Sequence, residues 1–380
     1  MRWIVCASWP PVASSSRRAA RRLAQATGHE AQTIHRLLEW APGKEPTFKP
    51  GHPLPADLVV VDESSMLNLR TMEVLLGAIA EATHVVFVGD ADQLPPIGAG
   101  KPFADLIESG TAPTVRLTQI FRQAAESMIT TAAHEINRGR LPHLEPGEGQ
   151  RHDFFLIDRP NPERARDTAV EVVAERAPSR YGVDPIREVQ VLAPMYRGAT
   201  GIDALNERLQ RELNPDGEPA LEERFRIGDR LIQTRNAHDL ELMNGSIVFL
   251  VADDPEKEEI LVDLDEGGSL TIPYDNSGDL RLAYAISVHK AQGCEVPVVV
   301  AICHRSHARM LTRPLIYTAV TRARQACVVI GERAALEMGV RRDDSGGRHS
   351  GLAERLRGED ASLSPTPLPR HAVTDEQQDE

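Results

Sequence analysis

The chain has 380 residues, with 43 basic and 56 acidic side chains and a net charge of −13. This length predicts two or three domains, and an apolar content of 41% is that of an ordinary globular protein. No apolar stretch reaches the length of a membrane span and no secretory segment is visible, so we expect a cytoplasmic protein without a membrane partner. The four cysteines lack zinc-site spacing, which predicts reduced, buried thiols.

The negative charge is concentrated in two segments. Residues 253–266 carry a net −7 and residues 343–380 a net −5, which together account for −12 of the −13. Residues 1–36 carry six arginines against one glutamate, or +5. The rest of the chain is close to neutral. The net negative charge therefore does not exclude a local basic surface that binds a nucleic-acid strand.

The N-terminal quarter combines a basic helix with a loop rich in proline. Arginines at positions 17, 18, 21 and 22 alternate with apolar residues up to Gly28, which predicts a helix over 17–27. A second short helix is predicted over 33–40. Seven prolines and glycines between positions 42 and 55 then exclude a continuous helix.

Two neighbouring carboxylates end the first strongly apolar strand. Leu58 to Val61 has no alternation, which is typical of a strand buried on both faces of a parallel sheet. Asp62 and Glu63 follow at its carboxyl end, where open α/β sheets bind ligands. A divalent cation there would compensate both charges. The alternative is that Asp62 merely caps the next helix.

The next apolar run, His84 to Val88, ends in Gly-Asp-Ala-Asp-Gln. Because consecutive parallel strands end at the same edge, we expect Gln93 to lie on the same rim as Asp62 and Glu63. A glutamine amide there can donate to a phosphate oxygen and accept from an attacking water. The two strands together favour a phosphoryl-transfer site over a simple helix cap.

The remaining elements follow a βα rhythm that is interrupted once. We predict helices over 68–81, 103–108 and 162–176, and strands over 115–117, 154–157, 189–192, 298–303 and 327–330. Between about 222 and 280, short strands are predicted at 230–234, 246–252, 260–264 and 269–273, joined by turns such as Asn244-Gly245. They predict a small antiparallel barrel. From Asp343 onward, Gly, Ser, Pro and acids predict disorder.

Several strings resemble motifs of one protein family. DESSM and GDADQLPPIGAG resemble the second and third motifs of superfamily one helicases, and more narrowly of the RecD-like 5′-to-3′ DNA helicases. Four later blocks are also similar: LTQIFRQA, APMYRGATGIDALNERLQ, AYAISVHKAQGCE and YTAVTRAR. Six blocks in family order between residues 12 and 331 are far less expected by chance than any one of them.

The resemblance implies an α/β fold with two RecA-like P-loop NTPase domains, each with a parallel sheet, and a small β-barrel insertion. It places an incomplete first domain at 1–117, with a β-hairpin pin in the loop 41–56 unless that loop is an ordinary surface loop. The second domain would occupy 118–221 and 281–342, the barrel 222–280, and an acidic tail 343–380.

The resemblance also implies ATP and Mg²⁺ as cofactors of an ATP-dependent DNA helicase in repair or recombination. Asp62 would hold the magnesium ion, Glu63 would polarise the attacking water and Gln93 would contact the γ-phosphate. Arg122 and Arg322 would stabilise the transition-state charge from the second domain. Without the family pattern, both arginines would be read as surface ion pairs. Gly293 and Glu295 would approach the nucleotide.

The implied partners are single-stranded DNA and duplex junctions, while a partner subunit is left unspecified. The candidate DNA contacts are drawn from the basic helix, the fourth-motif neighbourhood, the barrel and the fifth motif: Arg18, Tyr196, Arg197, Asn236, His238, His289 and Lys290. His289 could instead hydrogen-bond within the fold, and the basic helix could be a solvated surface.

The glycine-rich phosphate loop GxxxxGK followed by Ser or Thr does not occur in the sequence. The string GAGKP at 98–102 has Pro102 where the hydroxyl belongs, so it is a false match. The family string close to APTGRAA corresponds to SSSRRAA at 14–20. We therefore expect an N-terminally truncated or frame-disrupted member with an exposed apolar sheet edge, poorly soluble alone and inactive on ATP. An ATPase-inactive DNA-binding remnant and the motor part of a conjugative relaxase-helicase are the alternatives.

Overall fold

The computed structural model describes the backbone of residues 3–7, and residues 28–29, 31–40, 43–117, 126–147, 149–240, 242–265, 267–343 and 350–359. Its first sheet has four parallel strands: β1 (Trp3–Ala7), β2 (Ala31–Thr33), β3 (Leu58–Asp62) and β4 (His84–Phe87). Their order is β2-β1-β3-β4. The sequence assigned no element to residues 3–7, yet β1 pairs with two strands. The basic helix predicted at 17–27 lies outside the described residues.

Three helices accompany this sheet: α1 (Ile34–Leu37), α2 (Leu69–Gly77) and α3 (Pro102–Ser109). The helix predicted over 33–40 is shorter because Ala31–Thr33 pairs with β1 instead. The Asn68 side chain caps α2 by accepting from the Thr71 backbone N–H at 2.9 Å. Leu75 of α2 packs against Val59 and Val61 of β3, which forms the core of this part, called unit 1 here.

The loop between α1 and β3 contains one antiparallel bridge rather than an extended hairpin. The backbone N–H of Lys49 donates to the His52 carbonyl at 3.1 Å, and that of His52 donates back at 2.8 Å. The Phe48 and His52 rings stack with centroids 5.5 Å apart. Over the described residues 43–56, the predicted β-hairpin pin is therefore reduced to this single bridge.

Strand β4 lies at the edge of the sheet. Among the described residues, no strand pairs with its outer side. Val86 is 45% exposed and Val88, just after the strand, is 47% exposed. The expectation of an exposed apolar sheet edge is confirmed, since unpaired backbone groups and half-exposed valines occur together there.

The strand predicted at 115–117 is wrong. Residues 113–117 have no regular structure, and Val115 and Leu117 are 88% and 94% exposed. The next described elements are α4 (Met128–Asn137), β5 (Phe154–Asp158), α5 (Pro162–Glu171), α6 (Ala177–Tyr181), β6 (Val189–Ala193) and α7 (Ile202–Leu213). The helix predicted over 162–176 corresponds to α5 and a π-helical turn, Val172–Arg176, and α6 continues beyond the predicted end.

The chain then forms an antiparallel insertion, called the barrel here. A short hairpin, β7 (Pro219–Ala220) and β8 (Phe225–Arg226), precedes β9 (Arg230–Gln233), β10 (Ile247–Asp254), β11 (Glu259–Leu264), β12 (Ser269–Pro273) and β13 (Leu280–Leu282). The last five form one sheet in the order β12-β11-β10-β9-β13. Leu231, Val248 and Val262 belong to its own core. The predicted antiparallel insertion is confirmed.

The βα rhythm resumes after the barrel, as predicted. The elements are β14 (Ala285–Ser287), β15 (Val296–Cys303), α8 (Arg313–Val320), β16 (Ala323–Gly331) and α9 (Arg333–Arg341). With β5 and β6 they complete a parallel sheet in the order β14-β6-β15-β16-β5. All eight residues of β15 are buried because helices cover both faces. This sheet with α4–α9 is called unit 2.

The prediction of disorder from residue 343 onward is wrong for the segment 350–359. This segment contains α10 (Leu352–Leu356), which packs on α3 of unit 1 and buries Ala353. The Ser350 hydroxyl hydrogen-bonds the buried carboxylate of Asp105, and Arg357 Nη1 donates to the Glu108 carbonyl at 3.4 Å. The segment is ordered despite its polar composition, because one small apolar face and two hydrogen bonds connect it to α3. Over the described residues, every helix is too short or too polar to cross a membrane.

Candidate functional site

The carboxyl end of β3 holds the two predicted carboxylates in a tight turn. Glu63 has a left-handed backbone conformation, with φ of 53°, and its N–H donates to Asp62 Oδ1 at 2.8 Å. The Ser64 N–H donates to the Val88 carbonyl at 2.8 Å, which ties this turn to the end of β4. Glycine is required at position 89, since a Cβ there would lie 2.9 Å from the Ser65 nitrogen. The turn therefore fixes where the acids lie relative to β4.

Charges from both units converge on Glu63. Burial raises the pKa of the Glu63 carboxyl, while the Arg322 guanidinium from unit 2 opposes this shift. The carboxylates of Asp62, Asp90 and Glu295 each raise the same pKa further. The structure thus brings three predicted residues, Glu63, Glu295 and Arg322, within electrostatic reach of one another across the cleft between the units.

Arg322 lies just after the end of α8, and hydrogen bonds fix the position of its side chain. It is 6% exposed, and its Nε donates to the Thr318 carbonyl at 3.1 Å. Its two terminal nitrogens donate to the Cys294 carbonyl at 3.3 Å and to Thr321 Oγ1 at 3.1 Å. Because burying a charge without partners is costly, these bonds are what allow a cation to remain at the cleft. The reading of Arg322 as a surface ion pair does not hold.

Gln93 lies on the same rim, as predicted. Its Nε2 donates to Asp90 Oδ2 at 3.2 Å, whereas its Oε1 is buried with no hydrogen-bond partner among the described residues. Asp90 Oδ2 also accepts from the Tyr317 hydroxyl of unit 2 at 2.9 Å. Asp90 and Tyr317 were not expected at the site from the sequence, although both belong to the motif-like strings GDADQLPPIGAG and YTAVTRAR.

Further hydrogen bonds join the two units beside Gln93. The Leu94 N–H donates to Thr318 Oγ1 at 3.0 Å, and Gln292 Nε2 donates to the Leu94 carbonyl at 3.2 Å. Asn137 Nδ2 donates to Asp92 Oδ2 at 2.7 Å. The loop that carries Gln93 is consequently anchored to unit 2 at several points.

The other nucleotide-site predictions have mixed outcomes. Gly293 is buried with a φ of 70°, and Glu295 is exposed in the same turn before β15. Arg122 lies outside the described residues, so its predicted place opposite the phosphate stays a prediction.

The residues at the cleft fit one end of a magnesium–nucleotide complex. Asp62 supplies a carboxylate oxygen, the ligand type that Mg²⁺ prefers. Over the described residues, no group of three or more His, Cys, Asp or Glu is placed to hold a metal. Arg322 and the unpaired Gln93 Oε1 fit a terminal phosphate and its water, while the cradle for the remaining phosphates has no counterpart in the sequence.

A second candidate surface is a cavity of about 840 Å³ between unit 2 and the barrel. Its lining includes two predicted DNA contacts, Tyr196 and Lys290, together with Arg224, Thr234 and Arg281. Tyr196 is 50% exposed and its hydroxyl interacts with Ser287. Burial lowers the pKa of Lys290, and nearby Arg281 lowers it further. An aromatic side chain and several cations therefore share one groove.

The remaining DNA candidates are less closely grouped. Arg197 is exposed beside Tyr196, and His289 is half-buried beside Lys290. Asn236 Oδ1 accepts from the Asn244 N–H at 2.9 Å, which gives that side chain a role in the barrel turn. Arg18 lies outside the described residues, and the side chain of His238 does as well.

Two parallel α/β sheets with acids, a glutamine and an arginine at a shared cleft define a two-domain core of the P-loop NTPase type. Comparisons with known proteins specify it further. Residues 11–151 match an AAA domain, residues 282–330 a UvrD-like helicase C-terminal domain, and residues 205–264 an ATP-dependent RecD-like DNA helicase SH3 domain. The chain belongs to the RecD-like helicase family.

Curated relatives are similar over most of the chain. It is 36% identical over 354 residues to the ATP-dependent RecD2 DNA helicase of Deinococcus radiodurans, covering 90% of this chain and 45% of that protein. It is 32% identical over 345 residues to the RecBCD enzyme subunit RecD of Mycolicibacterium smegmatis, covering 87% and 60%. The chain thus spans about half the length of the curated relatives it matches.

Solved structures support the fold. A Pif1 helicase from Bacteroides, in complex with ADP-AlF3 and ssDNA, superposes with a TM-score of 0.51 at 17% identity. The match covers 94% of this chain and 88% of that chain. The predicted two-sheet α/β fold with a barrel insertion is confirmed.

Proposed function

We propose that the chain is the motor core of a cytoplasmic ATP-dependent DNA helicase acting in repair or recombination. In this proposal, ATP hydrolysis drives movement along single-stranded DNA in the 5′-to-3′ direction and unwinds duplex junctions. One observation carries it: the polar rim of unit 1 is hydrogen-bonded to the helix of unit 2 that precedes Arg322, through Tyr317 to Asp90 at 2.9 Å and Leu94 to Thr318 at 3.0 Å. The direction of movement is supported by the family resemblance alone.

The cleft residues divide the chemistry between the units. ATP would supply the transferable phosphoryl group, with Mg²⁺ neutralising part of its charge. Asp62 would bind the ion through water, and Glu63 would orient and polarise the attacking water. Gln93 Oε1 would accept a hydrogen bond from that water, and Arg322 would donate to the terminal phosphate. Arg122 would be a second such donor, with Gly293 and Glu295 bordering the nucleotide.

This division would couple hydrolysis to movement. Glu63 and Gln93 belong to unit 1, whereas Arg322 belongs to unit 2, so the reactive geometry depends on how the units are placed. The groove lined by Tyr196 and Lys290 would hold the strand through stacking and charge, without reading its sequence. Arg18, Arg197, Asn236 and His289 are proposed as further contacts along the strand.

The test needs the chain extended upstream by a segment that carries a GxxxxGK loop followed by Ser or Thr. We expect this protein to hydrolyse ATP when single-stranded DNA is added and to unwind 5′-tailed duplexes. Arg322→Lys should lower kcat about a hundredfold or more, since arginines at such sites contribute strongly to phosphoryl transfer. Arg324→Lys, the same change at an exposed arginine two residues away, should leave kcat unchanged.

Two outcomes would contradict the proposal at different points. Unwinding of 3′-tailed duplexes in preference to 5′-tailed ones would remove the assigned direction. Full turnover by the Arg322→Lys protein would remove the cleft as the hydrolytic site.

A second function is favoured by the missing phosphate loop. We infer that the 380-residue chain alone binds single-stranded DNA without hydrolysing ATP, because the sequence has no GxxxxGK loop. Fluorescence anisotropy with a labelled oligonucleotide should detect binding that weakens in Lys290→Gln and at higher salt. DNA-stimulated ATP turnover by this chain would overturn the inference.

A further inference from the structure

A tyrosine of unit 2 reaches a carboxylate of unit 1 beside the candidate phosphate site. The Tyr317 hydroxyl, on α8, donates to Asp90 Oδ2 at 2.9 Å. The same oxygen accepts from Gln93 Nε2 at 3.2 Å. One carboxylate oxygen thus links a donor of unit 2 to the side chain that faces the proposed attacking water.

The chemistry of a carboxylate fixes which end of the Gln93 amide faces it. An ionised carboxylate only accepts hydrogen bonds, so the amide nitrogen must point to Asp90. Gln93 Oε1 is then turned away, and it is buried without a partner among the described residues. A flipped amide would bring two acceptors together and leave the nitrogen unsatisfied. Asp90 therefore selects the orientation in which Gln93 can accept a hydrogen bond.

Asp90 is itself held from two sides. Its Oδ1 accepts from the Asp92 N–H at 3.0 Å within unit 1. Its Oδ2 accepts from Tyr317, whose pKa is raised by burial and by the nearby Asp90 charge, so the phenol stays a neutral donor. The hydrogen bond from Tyr317 of unit 2 can form only while α8 is docked against the loop after β4.

Helix α8 carries two functional contacts at once. Tyr317 lies in α8, and Arg322 follows two residues after its last residue, Val320. Thr318 lies between them in the sequence. Its carbonyl accepts a hydrogen bond from Arg322 Nε, and its hydroxyl accepts one from the Leu94 N–H. Any shift of α8 away from unit 1 would withdraw Arg322 and release Asp90 together.

We infer that Tyr317 is a positioning residue for hydrolysis: through Asp90 it fixes the Gln93 amide so that its oxygen faces the attacking water only when the two units are docked. This inference rests on the proposed function. The competing explanation is that the Tyr317–Asp90 hydrogen bond only stabilises the contact between the units.

The test uses the upstream-extended protein with Tyr317→Phe, which removes a single hydroxyl. We expect kcat of the DNA-stimulated ATPase to fall about tenfold, the effect of losing one hydrogen bond to a charged group. The KM for ATP and the Kd for single-stranded DNA should stay unchanged, because Tyr317 contacts neither. Tyr181→Phe, the same change at a tyrosine in α6 away from the cleft, should leave kcat unchanged.

A double-mutant cycle separates positioning from stabilisation. Gln93→Ala should lower kcat by itself, and adding Tyr317→Phe should cause no further loss, because the side chain that Tyr317 orients is then absent. Asp90→Asn provides a second test if the tyrosine variant folds poorly. It keeps the shape of the side chain, and it should reproduce the loss in kcat without a change in KM.

The outcomes distinguish the inference from the function on which it rests. The positioning role alone would be overturned by additive losses in the double mutant. It would also be overturned if Tyr317→Phe kept full kcat while Gln93→Ala lost activity. Full turnover by both Gln93→Ala and Arg322→Lys would instead overturn the proposed hydrolytic site.

Discussion

Glu63 combines several features that oppose stability. It has a left-handed backbone conformation, it is partly buried, and it lies near the carboxylates of Asp62, Asp90 and Glu295. The Arg322 guanidinium compensates only in part, because the pKa of Glu63 is still raised. Backbone strain and disfavoured charge together are typical of a residue retained for chemistry rather than for folding.

We predict that Glu63→Gln stabilises the 380-residue chain. Because the pKa is raised in the folded state, the ionised carboxylate is disfavoured there, and a neutral amide of the same shape relieves that cost. Urea unfolding at pH 7 should show a higher free energy of unfolding for Glu63→Gln than for the unchanged chain, because the raised pKa makes the ionised carboxylate a cost to the folded state. Glu295→Gln, at an exposed site, should change the free energy of unfolding little. A clear loss of stability in Glu63→Gln would show that the pair with Arg322 outweighs burial.

Single residues were predictable where one string carried both a structural and a chemical signal. Asp62, Glu63 and Gln93 each follow an apolar strand, so their places at one sheet edge could be expected, whereas the place of Arg322 was implied only by the family resemblance. The Asp90–Tyr317 hydrogen bond could not be expected, because its partners are 227 positions apart in the chain. Pairing across units depends on how two separate cores dock, which the periodicity of one sequence does not encode.

At the scale of elements, strong apolar runs were predictable and weak ones were not. Strands β3, β6 and β15 are rich in valine and other aliphatic residues, which is typical of buried parallel strands. Trp3–Ala7 is short and precedes a basic segment, so its pairing between β2 and β3 is visible only in the structure. Residues 115–117 have strand-like composition, but no described strand pairs with them, and they lie exposed.

The edge strand β4 supports a prediction about self-association. Its outer backbone groups are unpaired among the described residues, and Val86 and Val88 are nearly half exposed. Charged residues on edge strands oppose pairing between chains. We therefore expect Val86→Lys with Val88→Lys to reduce self-association of the 380-residue chain, measured by sedimentation velocity.

Leu76→Lys is the matched control for this edge. Leu76 is 48% exposed, as much as either valine, but it lies on helix α2 rather than on a strand edge. Leu76→Lys should reduce self-association far less than the two valine changes if pairing of backbone groups drives that association. An equal effect of both changes would indicate that apolar exposure alone, and not the open edge, is responsible.

At the scale of the whole molecule, the two units are joined by more than the cleft. After α9 of unit 2, the chain returns to unit 1, where α10 packs on α3. The Ser350 hydroxyl hydrogen-bonds the buried carboxylate of Asp105. The Lys101 ammonium group lies 3.9 Å from the same carboxylate. Segment 350–359 therefore ties the end of unit 2 to the helix that follows the Gln93 loop.

Removing residues 350–380 should loosen α3 without unfolding unit 2. Asp105 would lose its hydroxyl partner in a buried site, a cost on the order of 1–3 kcal/mol, and the surface under Ala353 would be exposed. Hydrogen exchange of the α3 backbone amides should accelerate, while exchange in β15 should not change. Removing only residues 360–380 keeps every described contact of α10 and should leave α3 protected. If α3 exchanges equally in both truncated proteins, the contact of α10 with unit 1 contributes no measurable stability to α3.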